Sequence, residues 1–168
     1  MSGEEWGMRV GFAADHAGAA LKAELLRRVA AARPDDRLVD LGGDGSDPND
    51  DYPDFARLLG HAVRDGEVER GILICGSGVG ASVAANKIRG VRAAVCHDTY
   101  SAHQGVEHDD MNVLTIGARV IGSEPALECA LAFLAATFSG ESRHRRRLDK
   151  VLAIERAEGQ DSVGTNGG

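Results

Sequence analysis

The sequence predicts an α/β fold in which a parallel sheet is covered by helices on both faces. Five short apolar segments recur along the chain, and segments with a helical spacing of apolar residues separate them. Continuous apolar segments are typical of parallel strands, because helices bury such strands on both faces. The length of 168 residues suits a single domain.

The first part of the chain supplies two strand–helix units. Met8–Ala13 is a short apolar strand, and Ala19–Ala32 then repeats leucine and valine at helical spacing until Pro34 ends the helix. Arg37–Leu41 is a second apolar strand. A polar loop rich in glycine and aspartate follows it, and Tyr52–Asp65 is predicted as a helix that tolerates a proline in its first turn.

The second part continues the alternation. Gly71–Cys75 is the clearest buried strand, and a helix over Ala81–Lys87 follows a turn rich in glycine. Val91–Cys96 and Val113–Gly117 are the fourth and fifth strands, with a helix over Thr99–His108 between them. The last two predicted helices are Glu124–Phe138 and Leu148–Ala157.

Both ends of the chain lack an apolar face. Residues 1–7 are polar, and residues 158–168 read EGQDSVGTNGG. Neither segment can bury enough apolar surface to offset the entropy of ordering it. We therefore predict a flexible N-terminus over 1–7, a folded domain over 8–157 and a disordered tail over 158–168.

The composition excludes several classes of protein. Twenty-six acidic and 19 basic residues give a formal charge of −7, which argues against a non-specific nucleic-acid or membrane-surface binder. No apolar segment approaches the ~20 residues of a membrane span, and no secretory pattern opens the chain. The three cysteines form no CxxC pair, so we expect a reducing, cytoplasmic compartment.

Ligands of parallel sheets bind beyond the carboxyl ends of the strands, and one such turn is almost wholly glycine. Gly76–Gly80 is either a tight connection or an anion cradle made of backbone N–H groups at a helix N-terminus. GSGVGA also fits a dinucleotide fingerprint, with Asp98 about 20 residues further on. Against nicotinamide binding, the turn follows the third strand and the chain has no room for a second domain.

Cys75 stands immediately before this turn. A cysteine at the end of an apolar strand is commonly a small core residue. Neighbouring N–H groups and a helix N-terminus favour a thiolate, however, and a thiolate beside an oxyanion cradle can take a proton from carbon. Cys96 and Cys129 lie within apolar segments, and we expect both in the core.

Charged and titratable side chains are concentrated in two further segments. The segment from His97 to Asp110 holds several histidines and carboxylates, which fit a metal site, a general acid or base, or a solvated loop. The arginine cluster from Arg143 to Arg147 is either a solvated helix start or an anion site. Arg143 and Arg147 stand four residues apart and can share one phosphate if the segment is helical.

Together these segments resemble the family of ribose-5-phosphate isomerase B and galactose-6-phosphate isomerase. The resemblance spans Met8 to Ala157 and depends on the order and spacing of short motifs. These motifs are Asp15–Gly18, Asp51–Pro53, Gly71–Lys87 (GILICGSGVGASVAANK), Val91–Ala93, Tyr100–Ala102, Asn112–Leu114, Gly117–Val120 and Arg143-His144 with Arg147.

The resemblance implies a three-layer α/β/α Rossmann-like sandwich with a five-stranded parallel sheet in a single domain. It implies interconversion of aldose and ketose phosphates through an enediolate, without a metal or other cofactor. It also implies a homodimer, sometimes a tetramer, with active sites at the subunit interface. No nucleic acid or membrane partner is expected.

The resemblance also assigns roles to individual residues. Cys75 is implied as the base that moves a proton between C1 and C2, and His108 as the acid that opens the sugar ring. Asp15 and Ser77 are implied to hold or relay hydroxyl protons. The implied substrate contacts are His16, Tyr52, Gly76, Ser77, Gly78, Val79, Gly80, Asp109, Arg119, Arg143 and Arg147, some of them from the partner subunit.

One departure bears on the substrate. Asp109 stands where many relatives have asparagine, and an ionised carboxylate accepts hydrogen bonds but cannot donate them. The resemblance favours ribose 5-phosphate and ribulose 5-phosphate, but this departure weakens that assignment and leaves a tetrulose or hexose phosphate open. A nicotinamide-dependent oxidoreductase and a non-catalytic phosphosugar-binding protein are the alternatives of other classes.

Overall fold

Strands and helices alternate along the chain in the computed structural model, which describes residues 7–160. The strands are β1 (Arg9–Ala14), β2 (Arg37–Gly42), β3 (Arg70–Cys75), β4 (Ala93–Val95) and β5 (Val113–Gly117). The helices are α1 (Ala19–Ala32), α2 (Tyr52–Arg64), α3 (Val79–Ala85), α4 (Thr99–Asp109), α5 (Ser123–Ala135) and α6 (Ser142–Gln160). The sequence predicted every one of these elements, with differences at their ends.

The strands form one five-stranded sheet in the order β2-β1-β3-β5-β4, and every neighbouring pair is parallel. Helices α1, α4 and α5 bury one face of the sheet, and helices α2 and α3 bury the other. The predicted three-layer α/β/α sandwich in a single domain is thereby confirmed. Because all strands are parallel, their carboxyl ends meet at one edge, and the loops that carry the candidate residues leave from that edge.

Two glycines make room for one side chain of α2. Gly11 of β1 and Gly71 of β3 are paired in the sheet register. A Cβ on either glycine would lie 2.8 Å from a methyl carbon of Leu59, which is fully buried. The absence of two side chains therefore lets α2 pack close to the sheet, and Leu59 fills the space between the strands.

Two predicted elements were too long. The fourth strand was predicted over Val91–Cys96, but Val91 N–H donates to Ile88 O in a turn and Arg92 N–H donates to Asn112 Oδ1. The fifth helix was predicted to reach Phe138. It ends at Ala135 because Ala136 has an extended backbone and Arg70 donates to its carbonyl oxygen.

The last helix was predicted too short. It begins at Ser142 rather than Leu148, so the arginine cluster is helical, and His144 and Leu148 form a buried face. It also continues through Glu158, Gly159 and Gln160, which the sequence placed in a disordered tail from 158. Residues 161–168 of that tail and 1–6 of the predicted N-terminus lie outside the described residues. Gly7 N–H donates to Asp35 O.

Replacing Leu59 with alanine tests the packing of α2. Leu59→Ala is expected to lower the free energy of unfolding by about 2–5 kcal/mol, because it empties the space against Gly11 and Gly71. Urea denaturation measures the change. Leu58→Ala is the matched control, since Leu58 is exposed on the same helix and its loss should cost no more than about 0.5 kcal/mol. Equal losses for the two variants would contradict this packing.

Candidate active site

A cleft of about 370 Å³ lies at the carboxyl edge of the sheet, beyond β1, β3 and β5. It collects most of the residues that the sequence singled out. Its lining consists of Asp15, His16, Ala17, Tyr52, Cys75, Gly76, Ser77, Gly80, Arg119 and Val120. The loops after three different strands therefore build one concave surface, as the parallel topology requires.

Cys75 is the last residue of β3 and forms part of the wall of this cleft. Its side chain is largely buried, and the Gly78 N–H donates a hydrogen bond to Sγ over 3.1 Å. A backbone N–H donor stabilises an anionic acceptor more strongly than a neutral one. The turn therefore holds the sulfur at the cleft wall with an N–H donor directed at it.

The glycine turn depends on close backbone contacts. Gly78 has φ = +78°, in the left-handed region, and a Cβ there would lie 3.0 Å from Gly117 N. A Cβ on Gly117 would lie 2.5 Å from the Ser77 carbonyl group. The turn after β3 and the end of β5 can thus approach each other only because both positions lack a side chain.

The turn also uses some of its own N–H groups. Gly78 N–H donates to Cys75 Sγ, and Val79 N–H donates to Ser77 Oγ over 3.2 Å. Gly78 and Val79, which the sequence placed among the substrate contacts, do not belong to the lining of the cleft. The sequence analysis expected the N–H groups of this turn to face a ligand, but those of Gly78 and Val79 have partners within the turn.

Asp15 and His16 follow β1 directly. Asp15 is buried, and one of its carboxylate oxygens accepts the Gly18 N–H over 3.1 Å. His16 is exposed, and both its backbone N–H and its Nδ1 contact Asp50 Oδ1, at 2.9 Å and 2.7 Å. The hydrogen bond that His16 donates to Asp50 raises the pKa of His16, and the charges of Asp15 and Asp50 raise it further. His16 therefore tends toward the imidazolium form.

The sequence did not single out Asp50. It belongs to an acidic loop between β2 and α2 that also contains Asp44, Asp47 and Asp51. Nothing in the residue types distinguishes Asp50 from its neighbours. Its contact with His16 joins residues 34 positions apart, and only the fold brings them together.

Tyr52 and Arg119 enclose the glycine turn from two sides. A Cβ on Gly80 would lie 2.6 Å from Tyr52 Cζ, and a Cβ on Gly76 would lie 3.2 Å from Arg119 Nη1. Arg119 is also tied to the turn through its N–H, which donates to Gly76 O over 3.0 Å. The aromatic ring and the guanidinium group thus form opposite borders of the cleft beside Cys75.

The remaining predicted residues lie in a second cluster, where the end of α4 meets the start of α6. His108 stacks on His144 with ring centroids 4.0 Å apart, and its Nδ1 lies 2.9 Å from Gln104 Nε2. Burial lowers the pKa of His144, and the nearby His108, Arg143 and Arg147 lower it further. His144 is therefore a neutral, buried support for His108, a role that the sequence did not indicate.

None of the predicted residues in this second cluster lines the cleft around Cys75. Arg143 and Arg147 are exposed on the first turns of α6, and Arg143 pairs with Glu141 at 3.0 Å. Asp109 lies on a separate groove of about 940 Å³ along α6. The structure therefore divides the predicted site residues into the cleft and the α4–α6 cluster.

The structure brings possible metal-ligand atoms together away from the segment from His97 to Asp110, the one segment in which the sequence left a metal site open. Among residues 7–160, the group whose donor atoms come close enough to hold a cation is Asp15, His16 and Asp50, with all three atoms within 4.8 Å of one another. His16 Nδ1 already binds Asp50 within this group. In the segment from His97 to Asp110, His97 Nε2 accepts the Gly117 N–H over 2.9 Å and so supports the end of β5.

The other two cysteines are core residues, as predicted. Cys96 and Cys129 are buried in the cluster that α1, α4 and α5 form on the sheet. Burial raises the pKa of Cys96 to about 11 and also raises the pKa of Cys129. Both therefore remain neutral thiols, and neither faces the cleft.

Fold and cleft define a class of α/β protein that binds a small ligand at the carboxyl edge of a parallel sheet, with a cysteine in the wall of the site. More specifically, this chain belongs to the ribose/galactose isomerase family, whose model matches residues 10–151. No helix within residues 7–160 is long and apolar enough to cross a membrane.

Similarity to individual proteins extends over most of the chain. Ribose-5-phosphate isomerase B of Escherichia coli is 42% identical over 147 residues, covering 88% of this chain and 96% of that protein. D-erythrulose-4-phosphate isomerase of Pectobacterium atrosepticum is 48% identical over 103 residues, covering 61% and 68%. The structure of ribose-5-phosphate isomerase B from Mycoplasma genitalium with bound ribulose-5-phosphate matches with a TM-score of 0.81 at 38% identity, covering 88% and 96%.

The cysteines should differ sharply in reactivity. With a pKa of about 11, roughly one Cys96 in a thousand is a thiolate at pH 8. Iodoacetamide at pH 8 should therefore modify Cys75 first, as peptide mass spectrometry would show. Cys75→Ser should remove the fast reaction, and denaturant should expose all three thiols. Modification of Cys96 or Cys129 as fast as Cys75 in the folded protein would contradict this assignment.

Proposed function

We propose that this chain is an aldose–ketose isomerase of phosphorylated sugars and that it interconverts ribose 5-phosphate and ribulose 5-phosphate. The observation that carries the proposal is the hydrogen-bonded Cys75 sulfur in the wall of a cleft that also contains Asp15, His16 and Arg119. Membership of the ribose/galactose isomerase family supports the same reaction.

In the proposed mechanism, the Cys75 thiolate removes the proton from C2 of the open-chain aldose and returns it to C1. Charge develops on the carbonyl oxygen as the enediolate forms, and N–H donors of the turn from Gly76 to Gly80, other than those of Gly78 and Val79, stabilise it. Asp15 and Ser77 move the protons of the O1 and O2 hydroxyls. The reaction transfers protons within one molecule and leaves the overall oxidation state unchanged, so it needs no redox cofactor.

The distribution of charge supports a site shared between two subunits. Around the cleft, the formal charges of Asp15 and Asp50 cancel those of Arg119 and a protonated His16, and the Cys75 thiolate of the proposed mechanism adds a further negative charge. A phosphate dianion therefore needs further cations. Arg143 and Arg147 can supply them, and they are exposed outside the cleft of their own chain. We propose that a partner subunit brings these arginines, together with His108 as the ring-opening acid, to the cleft.

Exposed apolar side chains support the same homodimer. Large apolar side chains on three helices are at least half exposed: Val79 and Val83 of α3, Tyr100 of α4, and Val151 and Ile154 of α6. Exposed large apolar side chains are typical of protein–protein interfaces where they form a patch. A homodimer accounts for them, and a tetramer would cover additional surface. The three free cysteines fit a cytoplasmic protein.

A second substrate is favoured by a specific observation. The erythrulose-4-phosphate isomerase of Pectobacterium atrosepticum is 48% identical over the matched residues, and Asp109 carries a carboxylate where the resemblance to the family implies asparagine. Loss of an amide donor beside the sugar changes which hydroxyl pattern the site can satisfy. Isomerisation of a four-carbon ketose phosphate is therefore the second candidate function.

A comparison of sugar phosphates tests the substrate. Coupled assays with four-, five- and six-carbon aldose and ketose phosphates should give the highest kcat/KM for ribose 5-phosphate. A higher value for a tetrulose phosphate would replace the five-carbon assignment. Stabilisation by NAD(H) and by none of the sugar phosphates would overturn the isomerase assignment, since a ligand at about 100 Kd raises stability by about 2.7 kcal/mol.

Removal of the thiol tests the base. Cys75→Ala should abolish exchange of the C1 or C2 hydrogen with solvent deuterium, because no other group then takes the carbon-bound proton. Proton NMR of the recovered sugar phosphate measures the exchange. Cys129→Ala removes a thiol from the core and should leave exchange in place. Undiminished exchange in Cys75→Ala would remove Cys75 from this role.

Mixed dimers test the shared site. Cys75→Ala and His108→Asn are each expected to be inactive, and their co-expression should restore about a quarter of wild-type activity. Random pairing makes half of the dimers mixed, and each mixed dimer has one intact site of two.

The matched control combines two variants of the same cleft. Co-expression of Cys75→Ala with Arg119→Ala should restore nothing, because each chain then carries a damaged cleft. Mass spectrometry of the intact dimers verifies that mixed dimers form. Absence of recovery in verified Cys75→Ala and His108→Asn mixed dimers would contradict a site shared in this way.

A further inference from the structure

The carboxylate of Asp50 holds His16 at two points. Asp50 Oδ1 lies 2.9 Å from the His16 backbone N and 2.7 Å from its Nδ1. The Asp50 side chain is 14% exposed, whereas that of His16 is 36% exposed. A largely buried carboxylate thus fixes both the backbone and the ring of a residue at the mouth of the cleft.

The loop that carries Asp50 is attached to the sheet by a buried cation. Lys22 of α1 is buried, and its Nζ donates to Asp40 Oδ1 over 2.6 Å and to Gly42 O over 2.9 Å. These contacts fix the start of the loop between β2 and α2, and α2 itself fixes the end at Tyr52. Asp50 therefore reaches His16 from a segment that is anchored at both ends.

This geometry decides which nitrogen of His16 can meet a substrate. A carboxylate only accepts hydrogen bonds, so Nδ1 must carry the proton that it shares with Asp50. Nε2 is then the ring nitrogen left for a ligand oxygen. The hydrogen bond also raises the pKa of His16, so that Nε2 carries a proton over more of the neutral range. The titratable and charged groups around the ring are Asp15, Asp50, Tyr52, Cys75 and Arg119.

We propose that Asp50 is a positioning residue for His16, which it holds in the orientation and charged form that bind the phosphate or a hydroxyl of the substrate. This inference rests on the proposed function for the part that concerns substrate. The contact between Asp50 and His16 does not rest on the proposed function, because it exists in the protein without a ligand.

The direction in which KM changes shows whether Asp50 acts by positioning His16 or only through its negative charge. A carboxylate close to a bound phosphate repels it, so loss of that charge alone would lower KM. Loss of a positioning residue has the opposite effect, because His16 becomes neutral at a lower pH and its ring is no longer held. Asp50→Asn should therefore raise KM if the proposal is correct.

The test compares Asp50→Asn with Asp47→Asn. Asp47 lies in the same loop, is exposed and accepts the Asn49 N–H, so its loss removes the same charge without touching His16. NMR titration of the imidazole C–H signals gives the pKa of His16, and His16→Gln identifies its signal among the six histidines. Addition of inorganic phosphate to the same samples probes whether His16 contacts the anion.

In Asp50→Asn, the pKa of His16 should fall and the pH at which KM rises should fall with it. Each unit of that fall reduces the imidazolium fraction above the pKa about tenfold, so KM above that pKa should rise by up to about tenfold. Asp47→Asn should change neither the pKa of His16 nor the pH at which KM rises. The expected change lies in KM rather than kcat, since His16 does not act on the carbon-bound proton.

Two results would each overturn a different part of the proposal about Asp50. An unchanged pKa of His16 in Asp50→Asn would overturn the positioning role, whatever reaction the protein performs. The role of His16 in substrate binding would be overturned by a different result. In that case the pKa of His16 falls in Asp50→Asn, but its signal does not respond to inorganic phosphate and KM falls instead of rising. The first result leaves the isomerase assignment intact, and failure of every sugar phosphate to react leaves the Asp50 contact intact.

Discussion

Close approach of two backbone segments is the constraint on which the rest of the site depends. The turn after β3 packs against the end of β5, where Gly78 faces Gly117 N and Gly117 faces the Ser77 carbonyl group. Only with this approach can Gly78 adopt its left-handed conformation and donate its N–H to Cys75 Sγ. The position of the sulfur thus follows from the absence of two side chains, and Gly76 and Gly80 extend the same principle to Arg119 and Tyr52.

Electrostatics decides how such an acidic chain can bind an anion. The formal charge is −7, and carboxylates balance the cations within the cleft itself. Exposed guanidinium groups are concentrated instead at the start of α6, where they add to the effect of burial in lowering the pKa of His144. The separation of the cleft that contains Cys75 from the arginine cluster is the physical argument for the proposed sharing of each site between two subunits.

The sequence predicted the strands and most of the cleft because both depend on local signals. Continuous apolar segments identify parallel strands, and the topology then brings the residues after them to one edge. Asp15, Cys75 and Arg119, which the resemblance assigned to one site, each follow such a strand and lie together. The start of α6 was missed because four arginines obscure a helix whose buried face consists of His144 and Leu148. Asp50 was missed because its importance lies in one long-range contact that its acidic neighbours do not make.

The proposed arrangement links substrate binding to assembly. If the base comes from one subunit and the phosphate ligands from the other, the complete site exists only in the dimer, and a ligand that binds the complete site stabilises the dimer by mass action. Isolated chains would keep the Cys75–Gly78 contact and the Asp50–His16 contact, since both lie within one chain. Association of this kind would add cations and an acid to a cleft that each chain has already shaped, and the proposed dimer would thereby let a single small domain bind a doubly charged substrate.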